Sequence, residues 1–109
     1  MWENDGTTWS QINIDGFGNQ NNLDLNASVY NNQLYVGTYN EATGGQLWKL
    51  NRAAWVNLIN NGLDDQNNFF LGCHEFRNKF YLITGASETG VEVWRQNNYN
   101  PGMFNLLLE

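Results

Sequence analysis

Pairs of amide side chains recur at two places in the chain. Asn21 and Asn22 return as Asn67 and Asn68, 46 positions later, within segments rich in polar residues and glycine. Carboxamides donate and accept hydrogen bonds, which is the chemistry that recognises sugar hydroxyls. The same side chains also satisfy backbone groups inside loops, and repeat identity suits that role equally well. Ligand binding and loop stabilisation therefore remain as alternatives, and loop stabilisation is the favoured one.

A second polar segment, residues 39–43, adds candidates for the same ligand site. Tyr39 is the strongest of them, because the second unit has Gly85 in its place and a residue needed only for architecture would recur. The loop after the fourth strand of one unit and the loop between the second and third strands of the next should lie together, since strand directions alternate. The predicted ligand-binding residues are Asn21, Asn22, Tyr39, Asn40, Glu41, Asn67, Asn68 and Glu88.

Large aromatic residues also recur, and their faces could stack on sugar rings. Each lies in a predicted strand, where large aromatic side chains dominate burial. We therefore favour packing between sheets over ligand binding. The predicted packing residues are Trp9, Trp48, Trp55, Trp94, Tyr35 and Tyr81.

Asp64 and Asp65 are the only candidates for a metal site, with Asp15 in the matching loop. Carboxylates and carbonyl oxygens bind Ca²⁺, but this spacing completes no ligand set. A solvated acidic loop is the favoured interpretation, and we predict no metal and no cofactor.

Catalytic residues are sparse. Cys73 and His74 are neighbours on a predicted strand, so they point to opposite faces and cannot form a catalytic pair. Cys73 replaces Ala27 of the first unit and is interpreted as a small core residue. With one His in the chain, we predict no enzyme. A glycosidase that relies on carboxylates alone is the remaining enzymatic alternative.

Composition narrows the partners. The net charge is −6 with five Lys or Arg, and no basic stripe is present, which argues against nucleic acid. No apolar run approaches the length of a membrane span. Eleven Gly, one Pro and 15% aromatic residues are typical of a globular chain rich in turns. We expect a soluble chain without an export signal, and its compartment stays unknown.

The elements that must position these residues form an internal repeat. A period of 46 residues that carries β-type sequence predicts propeller blades, and one blade cannot bury its own apolar faces. The identical pairs are Trp2 and Trp48, Trp9 and Trp55, Gly16 and Gly62, Gln20 and Gln66, Asn21 and Asn67, Asn22 and Asn68, Leu25 and Leu71, Asn32 and Asn78, Tyr35 and Tyr81, Thr38 and Thr84, Thr43 and Thr89, Gly44 and Gly90, and Trp48 and Trp94.

Period-two alternation predicts four strands in each unit. Asn31 and Asn32 tolerate positive φ, so they predict a tight hairpin between the first two strands. The last strand should follow a turn about three residues longer than its counterpart in the first unit. The predicted strands are 23–30, 34–39, 46–50 and 55–60 in the first unit, and 69–76, 79–84, 91–95 and 103–108 in the second.

The repeat also divides the chain. Residues 1–17 form a partial blade with the end of a third strand at Trp2, a turn at Asp5 and Gly6, and a fourth strand at 8–14. Residues 18–60 form the first full blade and residues 61–109 the second. The chain thus begins partway through a blade.

Residues 33–40, QLYVGTYN, followed by Thr-Gly and then Leu-Trp or Val-Trp, resemble blades of prokaryotic β-propeller proteins. Residues 4–9 resemble a degenerate Asp-box, the turn between third and fourth strands in sialidase-like and lectin-like propellers. The usual motif spaces its Asp and Gly differently, and the second unit has Asn51 and Arg52 there. In that family the box is a folding device, so the resemblance implies architecture and no catalysis.

The predicted fold is therefore all-β, with two four-stranded antiparallel blades per chain. Known propellers close with roughly four to eight blades, so we expect further copies to complete the ring. Two, three or four copies would give four, six or eight blades; three copies are favoured and four come next.

The expected function is a non-catalytic homo-oligomer that binds glycans in loop-face pockets, where ring symmetry would add avidity. A protein-interaction scaffold and an excised or engineered two-blade fragment are the alternatives. A sialidase-like glycosidase ranks lower.

Overall fold

The computed structural model describes residues 1–86, 90–97, 99 and 103–107, and these form an all-β structure with almost no helix. The strands are β1 (Trp2–Asn4), β2 (Trp9–Gln11), β3 (Asp24–Tyr30), β4 (Gln33–Tyr39), β5 (Leu47–Asn51), β6 (Ala54–Ile59), β7 (Phe70–Phe76), β8 (Lys79–Ala86), β9 (Gly90–Gln96) and β10 (Phe104–Leu106). The all-β prediction is confirmed, and four strands occur in each repeat as expected.

Two antiparallel meanders make up the main sheet. Meander 1 runs β3-β4-β5-β6 and meander 2 runs β7-β8-β9-β10. A single pair, Tyr39 opposite Phe70, joins β4 to β7. The resulting 8-stranded sheet curls strongly and resembles half a barrel.

The tight turns follow the backbone preferences of their residues. Asn31 and Asn32 have φ of 53° and 60°, which confirms the predicted hairpin between β3 and β4. The matching turn of meander 2 places Arg77 and Asn78 at 52° and 63°, so an arginine adopts the left-handed region there. Asparagine populates this region more readily than arginine, and only the first of these turns is evident from its sequence.

The N-terminal hairpin β1–β2 repeats the outer half of meander 1. Trp2 lies opposite Gln11 as Trp48 lies opposite Asn57, which is the same register shifted by one repeat. Its turn is held by Asp5, whose Oδ1 accepts hydrogen bonds from the backbone N–H groups of Thr7 and Thr8 at 2.9 and 2.8 Å. The hairpin thus has the register of the β5–β6 pair of meander 1.

Two predicted strands differ at their ends. The predicted strand 8–14 was too long, because β2 stops at Gln11 and the chain then enters a turn where Phe17 has φ of 53°. The last strand was predicted to reach Leu108, a residue outside the described part of the chain. Its longer approach is confirmed, since Leu106 takes the place of Asn57 opposite the repeated tryptophan, and 106 − 57 = 49 exceeds the repeat of 46 by three.

The core lies between the two meanders. Meander 1 contributes Tyr35, Leu47 and Ile59, and meander 2 contributes a larger set: Leu71, Cys73, Phe80, Leu82 and Phe104. The rings of Tyr35 and Phe80 approach to 4.3 Å between centroids. Neither meander has such a core within itself, so each depends on the other for burial.

Candidate binding surfaces

The repeated asparagines close two equivalent loops. Asn22 Nδ2 donates to the carbonyl of Gly16 at 2.9 Å, and Asn68 Nδ2 donates to that of Gly62 at the same distance. Each glycine has positive φ, with values of 60° and 67°. A side chain that donates back across six residues fixes the loop in a single conformation.

Asn22 also joins the two predicted polar segments. Its Oδ1 accepts hydrogen bonds from Thr38 Oγ1 at 3.0 Å and from Asn40 Nδ2 at 2.9 Å. The amide of Asn22 donates in addition to Gln46 Oε1 at 2.9 Å. The expectation that these loops meet is confirmed, and the amide atoms of Asn22 and Asn40 are engaged within the protein.

Asn68 lacks part of this network. The residue is 1% exposed, and its Oδ1 has no hydrogen-bond partner among the described residues. Ala86 occupies the position equivalent to Asn40, so the donor amide is missing. Thr84, the counterpart of Thr38, accepts a hydrogen bond from Trp94 Nε1 at 3.3 Å. The second unit therefore keeps the hydrogen bond that closes the loop and lacks the hydrogen bonds that join the two polar segments in the first unit.

The remaining predicted ligand residues lie nearer the surface. Asn21, Asn67 and Glu41 are exposed, and Tyr39 is half-buried. The hydroxyl of Tyr39 donates to Glu41 Oε1 at 3.0 Å, and this bond raises the pKa of Tyr39 above its ordinary value. Glu88 lies outside the described residues.

A cleft of about 270 Å³ opens between the N-terminal hairpin and meander 1. Polar side chains line much of it, namely Gln11, Asn13, Asp15, Asn22 and Asp24. Gln11 Nε2 donates to Asp15 Oδ1 at 2.7 Å, and the N-terminal amine donates to Asn13 Oδ1.

The cleft occupies a place that is filled with apolar side chains at the other junction. Ile59, which is buried, stands one repeat after Asn13, and Leu71, which is also buried, stands one repeat after Leu25. Asn22 was predicted from the sequence, whereas Gln11, Asn13 and Asp24 were not. For Asn13 and Asp24 the signal that could have found them is the exchange with the apolar residues Ile59 and Phe70 of the second unit. The counterpart of Gln11 is Asn57, so the repeat gives no such signal for Gln11.

The acidic loop binds its own backbone and neighbours. Asp64 Oδ1 accepts a hydrogen bond from Asn61 Nδ2 at 3.0 Å, and Asp65 Oδ1 accepts one from the N–H of Asn67 at 3.0 Å. Within the described part of the chain, no group of three or more His, Cys, Asp or Glu side chains could hold a metal ion.

The tryptophans pack chiefly at the junctions between units. Phe17 stacks on Trp48 with ring centroids 4.9 Å apart and meets Trp55 edge-on at 5.0 Å. Trp55 Nε1 also donates to the carbonyl of Ile12 at 2.7 Å. Trp94 and Leu63, which stand one repeat after Trp48 and Phe17, both pack against the core. The N-terminal segment is thereby attached to meander 1.

Trp9 and Tyr81 lie outside this packing. Trp9 is 65% exposed, so its predicted packing role is not met within a single chain. Tyr81 is half-buried at the surface, with its ring 6.5 Å from that of Phe76. Tyr35, its counterpart, is in the core.

Cys73 and His74 point to opposite faces of β7, as predicted. Cys73 is buried in the core, and His74 is exposed. Burial raises the pKa of the Cys73 thiol to about 11, which keeps it protonated and unreactive at neutral pH.

Two sheet faces remain open on either side of the core. Val93 of meander 2 is 37% exposed, whereas its counterpart Leu47 is fully buried. Leu25 of meander 1 is 44% exposed, whereas its counterpart Leu71 is fully buried. Each meander thus exposes a surface whose equivalent in the other meander is buried in the core.

Comparison of the chain with models of known families, with curated proteins and with solved structures found no significant match. In the described part of the chain, no helix has the length and apolar character needed to cross a membrane.

Proposed function

We propose that this chain is a non-catalytic, propeller-forming unit that completes its fold by binding further copies of itself in a ring. The observation that carries the proposal is the pairing of buried and exposed counterparts, Leu47 with Val93 and Leu71 with Leu25. A face that packs in one unit and lies open in the next suits a repeated stack of blades.

The physical argument is the cost of exposed apolar area. Large contiguous apolar patches are uncommon on monomers and mark interaction sites. A contact between two different surfaces closes into a ring when its rotation divides a circle. Three copies are favoured and four come next, since they give six or eight blades of two per chain.

Light scattering coupled to size exclusion tests this proposal. We expect a single species of three or four times the chain mass at micromolar concentration. A second measurement is made in urea at a concentration below the unfolding midpoint. The urea should dissociate the oligomer to the monomer before β structure is lost. A monomer that persists at high concentration would contradict the proposal.

Glycan binding is the second candidate, and the polar cleft favours it. Carboxylate and amide groups from Gln11, Asn13 and Asp24 converge there beside Phe17, an aromatic neighbour. Protein sites for polar small molecules combine such groups on a concave surface. The cleft contains Asn22, which was predicted from the repeat alone.

A glycan array followed by thermal shift with the sugars that bind tests the second candidate. Gln11→Ala should lower the affinity at least tenfold, because this amide lines the cleft. Gln66→Ala is the matched control, since Gln66 is exposed in the equivalent loop outside the cleft. Binding that is lost equally in both variants, or in neither, would place the sugar elsewhere.

A further inference from the structure

The outer face of meander 2 is apolar with a cationic margin. We use "outer face" for Phe70, Tyr81, Ile83, Val93 and Arg95, which the strand register places on one side of the sheet. Ile83 lies opposite Val93, and Tyr81 opposite Arg95, so these side chains are lateral neighbours. Phe70, Ile83 and Val93 are each more than a third exposed.

A recess lies at the other end of the molecule. We use "recess" for the exposed side of β3, with Leu25 and Val29, together with the free edge of β1. Among the described strands β1 pairs with β2 alone, whereas its counterpart β5 pairs with both β4 and β6. An unpaired strand edge beside an apolar face is a template for further strands.

Charge distinguishes the two ends. The first 46 residues contain Glu3, Asp5, Asp15, Asp24 and Glu41 and no Lys or Arg. Every Lys and Arg of the chain follows, and in meander 2 the strand register places Lys79 and Arg95 on the side of the outer face and Glu75 and Glu92 on the opposite side. Contact between an outer face and a recess brings opposite charges together, whereas contact between two outer faces or two recesses brings like charges together.

A contact between two chains cannot reproduce every detail of the contact between the two meanders of one chain. Gly37 and Gly45 let meander 2 approach the backbone of meander 1, and their counterparts in the outer face are Ile83 and Val91. These branched side chains keep an incoming sheet farther away. A contact between copies is therefore made by side chains, and we expect it to be weaker and reversible.

From these observations we propose that copies of this chain join head to tail, with the outer face of one copy docked in the recess of the next. The inference rests on the proposed self-assembly and adds its polarity and its two surfaces. The partner of each surface is a second copy of this chain. The outer face and the recess carry opposite charges, and each corresponds by the repeat to a surface that packs between the two meanders. The N-terminal hairpin covers the outer half of meander 1, so the incoming copy reaches β3 with its inner strands β7 and β8.

Two single substitutions test the polarity. Ile83→Glu blocks the outer face, and Leu25→Glu blocks the recess, since either places a carboxylate in an apolar contact. The counterpart of Leu25, Leu71, is fully buried in the contact between the meanders. Ile83 and Leu25 are exposed in the single chain, so β structure measured by circular dichroism should be retained. Gln66→Glu, in an exposed loop, is the matched charge control.

We expect each blocked variant alone to drop from the wild-type assembly to the mass of one chain, while the control keeps the wild-type mass. An equimolar mixture of the two variants should form a 1:1 heterodimer and nothing larger, because one outer face and one recess remain. If Ile83→Glu fails to fold, Arg95→Glu should raise the dissociation constant at least tenfold in low salt.

The outcomes separate the two proposals. A wild-type chain that is monomeric removes the proposed self-assembly itself. A wild-type oligomer whose mass survives both substitutions, or variants that stay monomeric when mixed, overturns the head-to-tail contact alone. A Leu25→Glu protein that still forms dimers would instead show that two outer faces bind each other.

Discussion

Gly37 lies directly beneath the backbone of Leu71, so closely that a Cβ on Gly37 would come within 1.9 Å of the Leu71 carbonyl oxygen. The two residues belong to different meanders, and their approach sets the spacing of the core. Cys73, two residues further along β7, donates its backbone N–H to Asn26 Oδ1 at 2.9 Å across the same junction. The junction is thus a close contact of backbones as well as of apolar side chains.

Gly37→Ala should therefore separate the two meanders. The methyl group would meet a backbone atom that cannot move by itself, and overpacking of this kind costs about 1–3 kcal/mol or more. Gly85→Ala is the control, because a Cβ there would lie 3.8 Å from its nearest neighbour, an ordinary contact. Urea unfolding followed by tryptophan fluorescence measures both. Equal stability of the two variants would show that the junction can widen freely.

Much of the architecture follows from local rules that the sequence displays. Alternation of apolar and polar residues predicts the strands, and the Asn31–Asn32 pair predicts its turn, because both depend on near neighbours. The approach at Gly37 depends on residues that are distant in sequence. Its counterpart is Ile83, so the repeat conceals this role.

The site was harder to predict than the fold. Asn22 was identified because it recurs, but recurrence reflects the loop closure that both units share. The cleft depends on differences between the units, such as Asn13 where the second unit has Ile59. A search for identity passes over such positions.

Ala86→Asn should stabilise the protein by supplying the donor that Asn68 lacks. In the first unit Asn40 donates to Asn22 Oδ1, and the second unit has an unpaired buried oxygen at the same place. A hydrogen bond to such a group contributes about 1 kcal/mol. Thermal unfolding should show a higher Tm for Ala86→Asn. Asn40→Ala should lower the Tm by a larger amount, because Asn40 Oδ1 also accepts hydrogen bonds from the backbone N–H groups of Ala42 and Thr43. An unchanged Tm in Ala86→Asn would mean that the oxygen is already solvated.

Alkaline pH should destabilise the protein partly through Cys73. Burial raises the pKa of its thiol from 9.0 to about 11, so the unfolded chain loses this proton first. The contribution is complete below pH 9.0 and is lost as pH rises towards about 11. Cys73→Ala, which restores the residue of the first unit, should flatten this part of the stability profile. If the free energy of unfolding varies with pH in the same way for both proteins above pH 9.0, the Cys73 thiol is not the cause of the alkaline destabilisation.

Acid should loosen the N-terminal hairpin through Asp5. Backbone N–H groups of Thr8 and Thr7 bind this carboxylate and hold its pKa below the ordinary value of 3.8. The contribution is present above pH 3.8 and is lost as pH falls through the lower, folded pKa. NMR titration of the Thr7 and Thr8 amide signals measures it. Asp5→Asn keeps an acceptor oxygen and should remove the pH dependence, and signals that still move with pH would assign the effect to another acid.

Phe17 should decide whether the N-terminal segment stays attached to meander 1. Its ring is buried against Trp48 and Trp55, and removal of a buried phenylalanine ring costs about 3–5 kcal/mol. Phe17→Ala should therefore release the hairpin, shift tryptophan emission to the red and open residues 12–23 to proteases. Phe17→Leu is the matched variant, because Leu63 occupies this position in the second unit and packs against the core. We expect Phe17→Leu to keep most of the protection, since leucine fills the same site from the same backbone conformation. Protease resistance that is equal in all three proteins would show that the Trp55 to Ile12 hydrogen bond and the loop closure by Asn22 hold the segment without the ring.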